Sequence, residues 1–318
     1  MSRRSPSVGA LITALVLAST ATAQTIRIGS WNIEQLGSPG SRGGDAEGIA
    51  QTPQDLADHI EDAAVDVLAL QEIGDRANPG RVSPTLNETF AILNANGADW
   101  TYELTANRNQ NDTTQLTGVA WNRRVVSQVG EPHRFAVMPP SNGLNHWDRH
   151  PSALRFRAQT GGTDFVVVSL HWKAGSSDTN RRQRREEVQA LVERLPSFRS
   201  TFSEYDLVLI GDTNVRSTSE PTLSAITNAG FVDLNAAGQT TVPWGNVPFD
   251  HIFLATGQPE FASATMVRVV TNNGGQRRRL SNHFLVYTDI AVQGDDDAPG
   301  GDIPDPPTGG AACARCAL

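Results

Sequence analysis

Cysteine is nearly absent from this chain of 318 residues: there are two, Cys313 and Cys316, both at the far end. Residues 24–312 therefore carry no disulfide scaffold. A lone C-x-x-C with no second pair does not make a zinc site. Lysine is rarer still. Of 26 basic residues, Lys173 is the one lysine and the rest are arginine, a bias whose plain reading is a GC-rich genome. Positive charge is also in deficit, with a formal net charge of −8. That excludes a histone-like protein binding nucleic acid by bulk charge, though not one with a local basic groove. Long hydrophobic runs are missing. The run Val8–Ala18 covers 11 residues and is too short to span a bilayer. Aromatic residues are few, at 6%, and no internal repeat or low-complexity pattern dominates.

What is present starts with a leader. Arg3 and Arg4, the apolar run, and Ala21-Thr22-Ala23 have the order of a secretory signal over residues 1–23, with cleavage before Gln24. The chain is thus expected to be secreted, extracellular or periplasmic. Residues 24–293 are long enough for one domain with a sizeable core. Residues 294–318, rich in Asp, Pro and Gly, read as a flexible tail that a Cys313–Cys316 bond could close. The glycine-rich stretch Gly37–Gly48 reads as a mobile loop and carries no nucleotide-binding fingerprint.

Between these ends, periodicity predicts strands at 26–31, 65–71, 100–104, 116–122, 165–172, 207–210, 249–254 and 284–292. Thr52-Pro53 opens a helix to about Ala63. Further helices are expected over 84–96, 181–195 (stopped by Pro196) and 219–229. The irregular mixture favours an α/β sandwich over a regular barrel.

Polar residues sit at the exits of the strands that look buried. Asn32 follows the first, Gln71-Glu72 ends the second, and His171-Trp172-Lys173 ends the valine-rich one. Asp212-Thr213-Asn214 follows 207–211, Asp250-His251 opens a late strand, and Asn282-His283 precedes the last. A sheet brings such ends to one rim. Asn32, Glu72, Asp212, Asn214 and Asn282 offer the hard oxygen donors that suit Mg²⁺, with Mn²⁺ or Ca²⁺ as alternatives. His171, His251 and His283 add imidazoles, and Asp250 could orient one of them. Imidazoles, a hard metal and an anion suit phosphoryl-ester cleavage.

Six stretches in this order resemble the endonuclease/exonuclease/phosphatase superfamily, the DNase I-like fold: Ser30-Trp31-Asn32-Ile33, Leu70-Gln71-Glu72-Ile73, Ser169-Leu170-His171-Trp172-Lys173, Ile210-Gly211-Asp212-Thr213-Asn214, Phe249-Asp250-His251-Ile252-Phe253 and Ser281-Asn282-His283. The resemblance covers about residues 26–292. It implies a four-layer sandwich of two packed mixed β-sheets with helices outside. It also implies metal-dependent hydrolysis of a phosphoric ester. Asn32 and Glu72 would hold the metal, with Asn282 a further ligand. Asp212 would orient or deprotonate the attacking water, and Asn214 would bind that water and the phosphate. His283, paired with Asp250, would act as general acid or base, and His171 would stabilise the phosphate. Two features depart from the family pattern. Asn282 stands where an Asp is usual, which puts a second metal in question. Gln115 falls near the place of a Glu that orients the equivalent of His171.

Arg181, Arg184 and Arg185 continue the apolar stripe Val188, Leu191, Val192, Leu195, which points them inward under the 173–180 loop. They read either as loop anchors or, with Lys173, as a phosphate-binding rim. Arg278, within Arg277-Arg278-Arg279, reads either as solvated loop or as a phosphate contact. Trp147 is expected in the core. The function expected is that of a secreted nuclease of the DNase I-like type, acting as a monomer on nucleic acid or another phosphodiester, without stable membrane insertion. The alternatives are a phospholipid phosphodiesterase of the sphingomyelinase kind, an inositol phosphate phosphatase, and a non-catalytic binding module on the same fold.

Overall fold

The computed structural model describes residues 24–37, 51–74, 82–105, 115–134, 147, 149–271 and 280–294. The leader, the glycine-rich stretch from residue 38 on, Arg278 with its neighbours, and the tail from residue 295 with both cysteines lie outside the described residues.

Strand β1 (Thr25–Leu36) shows why the chain builds layers. Ile26 and Ile28 turn to one side with Val67 and Ala69 of β2 (Val67–Ile73), while Trp31 and Ile33 turn to the other with Leu68 and Leu70. Apolar residues on both faces mean that each face must be covered. Helices α1 (Pro53–Ala63) and α2 (Pro84–Ala95) cover the second of these faces with Leu56, Ile60, Leu86 and Phe90. Both have Pro in the first turn and a hydroxyl cap: Thr52 accepts from the Asp55 N–H at 3.1 Å, and Ser83 from the Leu86 N–H at 3.3 Å.

The first sheet runs β11 (Arg268–Val270), β12 (Leu285–Ala291), β1, β2, β4 (Leu116–Asn122), β3 (Trp100–Thr105). The second runs β5 (Val126–Arg134), β6 (Ser152–Ala158), β7 (Asp164–His171), β8 (Leu207–Asp212), β10 (Asp250–Ala255), β9 (Phe231–Asp233). Leu154, Phe156 and Val167 meet Ile28, Val67 and Trp121 in the core between them. Helices α3 (Asp178–Val192), α4 (Leu195–Phe202) and α5 (Pro221–Asn228) cover the outer face of the second sheet with Val188, Leu191, Phe198, Leu223 and Ile226. The expected four layers are present, and Trp147 is buried in the core between the sheets.

Each sheet holds one parallel pair, β1/β2 and β7/β8, and its other pairings are antiparallel. In register, Asn32 lies opposite Gln71, and His171 opposite Asp212. Two strands per sheet thus finish at the same edge, and an antiparallel neighbour begins there, at Asp250 or just after His283. A buried polar thread ties the sheets together behind this edge. Ser30 Oγ donates to Gln71 Oε1 (3.1 Å), Gln71 Nε2 to Ser169 Oγ (3.2 Å), and Ser169 Oγ to the Leu70 carbonyl (3.2 Å).

Some elements differ from expectation. Pro196 does not end the helical run. It sits in the first turn of α4, where its missing N–H costs nothing. Helix α3 begins earlier than residue 181, because Ser177 caps it by accepting from the Asn180 N–H at 3.2 Å. The β5/β6 hairpin has no counterpart among the expected strands. β5 is a polar edge strand containing Gly130 and Pro132, bulged between Val129 and His133.

Candidate active site

At the edge where the parallel pairs finish, five titratable side chains converge. Asn32 Nδ2 donates to Glu72 Oε1 and to Asp212 Oδ2, both at 3.0 Å. His171 Nε2 stands 3.7 Å from Glu72 Oε1 and 3.5 Å from Asp212 Oδ2. His283 Nε2 stands 3.6 Å from the same Asp212 oxygen, and its Nδ1 is 2.9 Å from Asp250 Oδ2. Asp212 Oδ1 accepts from the Asn214 N–H at 2.8 Å, and Asn214 Nδ2 donates to the Trp172 carbonyl at 3.0 Å. The structure therefore gathers Asn32, Glu72, His171, Asp212, Asn214, Asp250 and His283 from both sheets into one cluster.

Alternation explains most of these placements. Asn32 follows Ile26 and Ile28 on the inner face, His171 follows Val167 and Ser169, and Asp212 follows Val208 and Ile210. Glu72 breaks the pattern. By alternation it belongs with Leu68 and Leu70 under the helices. A left-handed φ of 59° and a register shift between Leu70 and Ile73 turn it to the rim instead. Glu34 (φ 41°), Gln35 (φ 53°) and Asn214 (φ 52°) hold the same left-handed conformation beside it. Such costly residues gather at functional sites. Gly211 makes the close approach of β8 to β7 possible. At φ 152°, a Cβ on it would stand 2.0 Å from the Leu170 carbonyl oxygen.

Burial sets the protonation states. Burial pushes Asp212 up to about 6, reinforced by the Asp250 and Glu72 charges and opposed by His283. Burial alone would discharge His283, but Asp250, Asp212 and Glu72 outweigh it and hold the imidazolium up to about 10. His171 is pushed well below the ordinary histidine value by burial and by the Arg149 and His283 charges, so it is neutral. Among the described residues its buried Nδ1 has no hydrogen-bond partner, Gln115 included.

Three carboxylates with one imidazolium leave a negative surplus. Candidate ligand atoms of Glu72, His171 and Asp212, and of Asp212, Asp250 and His283, lie within 4.8 Å of one another. The carboxylate oxygens of this set suit a hard divalent cation, while His283, held as imidazolium on Asp250, offers it no lone pair. Asn32 faces the carboxylates with its nitrogen, while its oxygen accepts from the Glu34 N–H at 2.9 Å. Ligation through that oxygen would require the amide to turn over. Asn282 is half-buried at the rim, and its backbone N–H donates to Glu34 Oε2 at 2.9 Å.

Other expectations are corrected. His251 is not in the cluster. It neighbours Asp250 in β10 and so faces the opposite side, buried against Asp233 at 2.9 Å. Of the three arginines expected to point inward, Arg184 alone does. It pairs with both oxygens of Glu220 (2.9 and 3.2 Å) and donates to the Lys173 and Gly175 carbonyls (2.7 and 2.8 Å). It is a loop anchor, and its fork is already filled, so it is not a phosphate contact. Arg181 is 43% exposed and pairs with Asp178 at 2.7 Å, and Arg185 is exposed. Neither continues the inward stripe, because Arg184 already occupies the position one turn before Val188. Lys173 is half-buried in that loop, its N–H on Glu187 Oε2 at 2.8 Å. Arg184→Ala should cost roughly 3–5 kcal/mol by stranding Glu220, read as a lowered melting temperature. Arg184→Lys should not restore it, since one ammonium cannot replace the fork.

Two neighbours of the cluster lie outside the sequence motifs. Buried Arg149 donates to the Trp172 carbonyl at 2.5 Å and lends its charge to His171. Glu34 bridges the Asn32 turn to the Asn282 backbone. Glu34 lies two residues past Asn32, but nothing in the sequence signals the left-handed turn that swings it back.

No protein-family model matches the chain. A protein named deoxyribonuclease from Thioalkalivibrio sp. (strain K90mix) is 24% identical over 290 residues, spanning 86% of this chain and 73% of that protein. An endonuclease/exonuclease/phosphatase family protein from Bacteroides thetaiotaomicron superposes with a TM-score of 0.63 at 17% identity, covering 86% of this chain and all of the other. A mannosyl-6-phosphatase from Bacteroides thetaiotaomicron VPI-5482 superposes at 0.61 and 16% identity, covering 84% and 99%. The chain has the fold of the endonuclease/exonuclease/phosphatase proteins, as its six motifs implied.

Proposed function

We propose that this chain is an exported, divalent-metal-dependent phosphodiester hydrolase, a nuclease of the DNase I-like type acting as a monomer. The observation that carries the reading is the buried His283–Asp250 pair, 2.9 Å apart, set 3.6 Å from Asp212 in a cluster drawn from both sheets. The named deoxyribonuclease relative supports the same substrate class. Export rests on the composition of residues 1–23.

Glu72, with Asn32 after its amide turns, would hold the cation, Mg²⁺ by the hardness of these oxygen donors. Bound there, it would supply charge to offset that building on the phosphoryl oxygens. The chain's own residues divide the proton work. Asp212 is ionised above about pH 6 and takes the proton of the attacking water. His283, held as imidazolium by Asp250, gives its proton to the departing oxygen. Two groups whose environments push their pKa values apart are thereby assigned as base and acid. Neutral His171 donates a hydrogen bond to the phosphate without competing for the cation. Asn214, fixed by Trp172, orients the water.

The test is nicking of plasmid DNA, run beside a phospholipase assay and a sugar-phosphate phosphatase assay on one preparation. DNA cleavage with Mg²⁺ or Mn²⁺, abolished by excess EDTA and restored by added metal, is the expected result. Full activity in EDTA defeats the metal assignment. Activity on the sugar phosphate alone moves the reading to a phosphomonoesterase, the activity for which one structural neighbour is named. No hydrolysis in any assay leaves a binding module.

A further inference from the structure

Four large apolar side chains are exposed among the described residues, and one of them, Trp244 at 53%, belongs to the active-site rim. Its ring packs on Phe249, centroid to centroid 5.6 Å at 57°, and Phe249 stacks on His283 at 5.8 Å and 28°. An aromatic path thus runs from solvent to the proposed general acid. The guanidinium of exposed Arg216, two residues past Asn214, lies 5.5 Å from the same Phe249 ring. The loop is tied to the site at both ends. The Thr241 carbonyl accepts from the Phe284 N–H at 2.7 Å, Thr241 Oγ1 from the Asp250 N–H at 3.1 Å, and the Phe249 carbonyl from the Thr213 N–H at 2.8 Å. The indole thus sits on a loop held at both ends, and among the described residues it stays 53% exposed.

We infer that Trp244 is a stacking platform for a nucleobase of a single-stranded segment flanking the scissile phosphate, with Arg216 on the neighbouring phosphate. The inference rests on the nuclease reading and deepens it. Base–aromatic stacking is tolerant of sequence, needs one rigid ring, and is served by a nearby cation. A lipid surface is the weaker fit. Insertion would need a contiguous apolar patch, and Trp244 stands between Pro243 and Gly245-Asn246 with Val242 buried beneath.

The other five tryptophans are buried, at 6% exposure or less. The red edge of the intrinsic emission therefore reports mainly on Trp244. Full-length, metal-stripped protein in EDTA is titrated with a thymidine decamer, with a base-free decamer of tetrahydrofuran phosphates, and with phosphatidylcholine/phosphatidylglycerol vesicles. Cleavage of both decamers is followed in Mg²⁺. The expected result is quenching of the exposed emission by the base-bearing strand and a preference for that strand in KM. The preference should collapse in Trp244→Ala, with KM for the base-bearing strand rising about fivefold to a hundredfold, and largely return in Trp244→Phe. Arg216→Gln should flatten the slope of log Kd against log salt by about 0.7, the loss of one phosphate contact. If the decamers are cleaved with equal KM and Trp244→Ala changes neither, the platform is overturned while the nuclease reading stands. Failure to cleave or bind either decamer overturns the platform, and the nuclease reading falls with it only if plasmid DNA is also left uncut. A blue shift with vesicles and no response to the decamer overturns the platform in favour of lipid contact.

Discussion

Glu72→Ala and Asp212→Asn should each lower kcat/KM on DNA by at least about two orders of magnitude, the range for loss of a metal-holding or acid–base group. Asp212→Asn should do so without weakening the fold. The Asp212 carboxylate is buried beside two others and is pushed up to about 6, so the folded state holds its proton more tightly than the unfolded chain does. Stability tied to this group is full below about pH 4, the unfolded value, and is lost as pH rises through about 6. At pH 8 the ionised group then costs the metal-stripped protein on the order of a few kcal/mol. Removing the charge while keeping the shape should relieve part of that cost. Thermal melts of metal-stripped wild type and variant at pH 8 measure this. A variant that melts well below wild type would mean that the carboxylate contributes to the fold more than it costs.

Asp250→Asn should give the other large effect. It removes the strongest support for the His283 charge and the partner that fixes its ring. The histidine pKa should fall from about 10, because burial then acts with less opposition. The alkaline limb of the pH–rate profile should move to lower pH, since the acid form is exhausted sooner. The rate below that limb should fall by about two to four orders of magnitude, as for other acid–base histidines deprived of their carboxylate. Proton NMR of the seven histidines in metal-stripped protein gives the same shift directly. An unmoved His283 resonance with an unmoved alkaline limb would remove it from the proton-transfer role.

The layers and most of the rim were legible in the sequence because both follow from alternation. Residues 67–71 and 165–171 are apolar on both faces, so these strands must lie between two layers, and 26–31 alternates with Ile26 and Ile28 on one face; the polar residue that ends such a run has to be at an edge. The same rule separates Asp250 from His251, since neighbours in a strand face opposite sides. What was illegible depends on backbone that leaves the regular pattern. The motif places Glu72 at the rim, but the left-handed backbone that turns it there, and that gives Glu34 its bridge to Asn282, is announced by no side-chain preference. Arg149 acts on His171 from a run that periodicity does not interpret. The edge strand β5 hides behind Gly130 and Pro132, because an edge has one unpaired flank and tolerates breakers. Arg181 and Arg185 were misplaced because charged residues in a first turn answer to solvent and local partners more than to the stripe below them.

The thread Ser30–Gln71–Ser169 has a mechanical meaning. Neither sheet owns a complete centre: one brings Asn32 and Glu72 with His283 at its margin, and the other brings His171, Asp212 and Asp250. The molecule is two halves held together by the apolar core between them and aligned at the site by this buried thread. Any slippage of one slab over the other, by even a fraction of the 3.3 Å strand repeat, would pull the acid from the base while leaving every helix and strand intact. Catalysis should therefore be the first property to fail on mild denaturation, ahead of far-ultraviolet circular dichroism, and should serve as a gauge of the alignment of the two slabs.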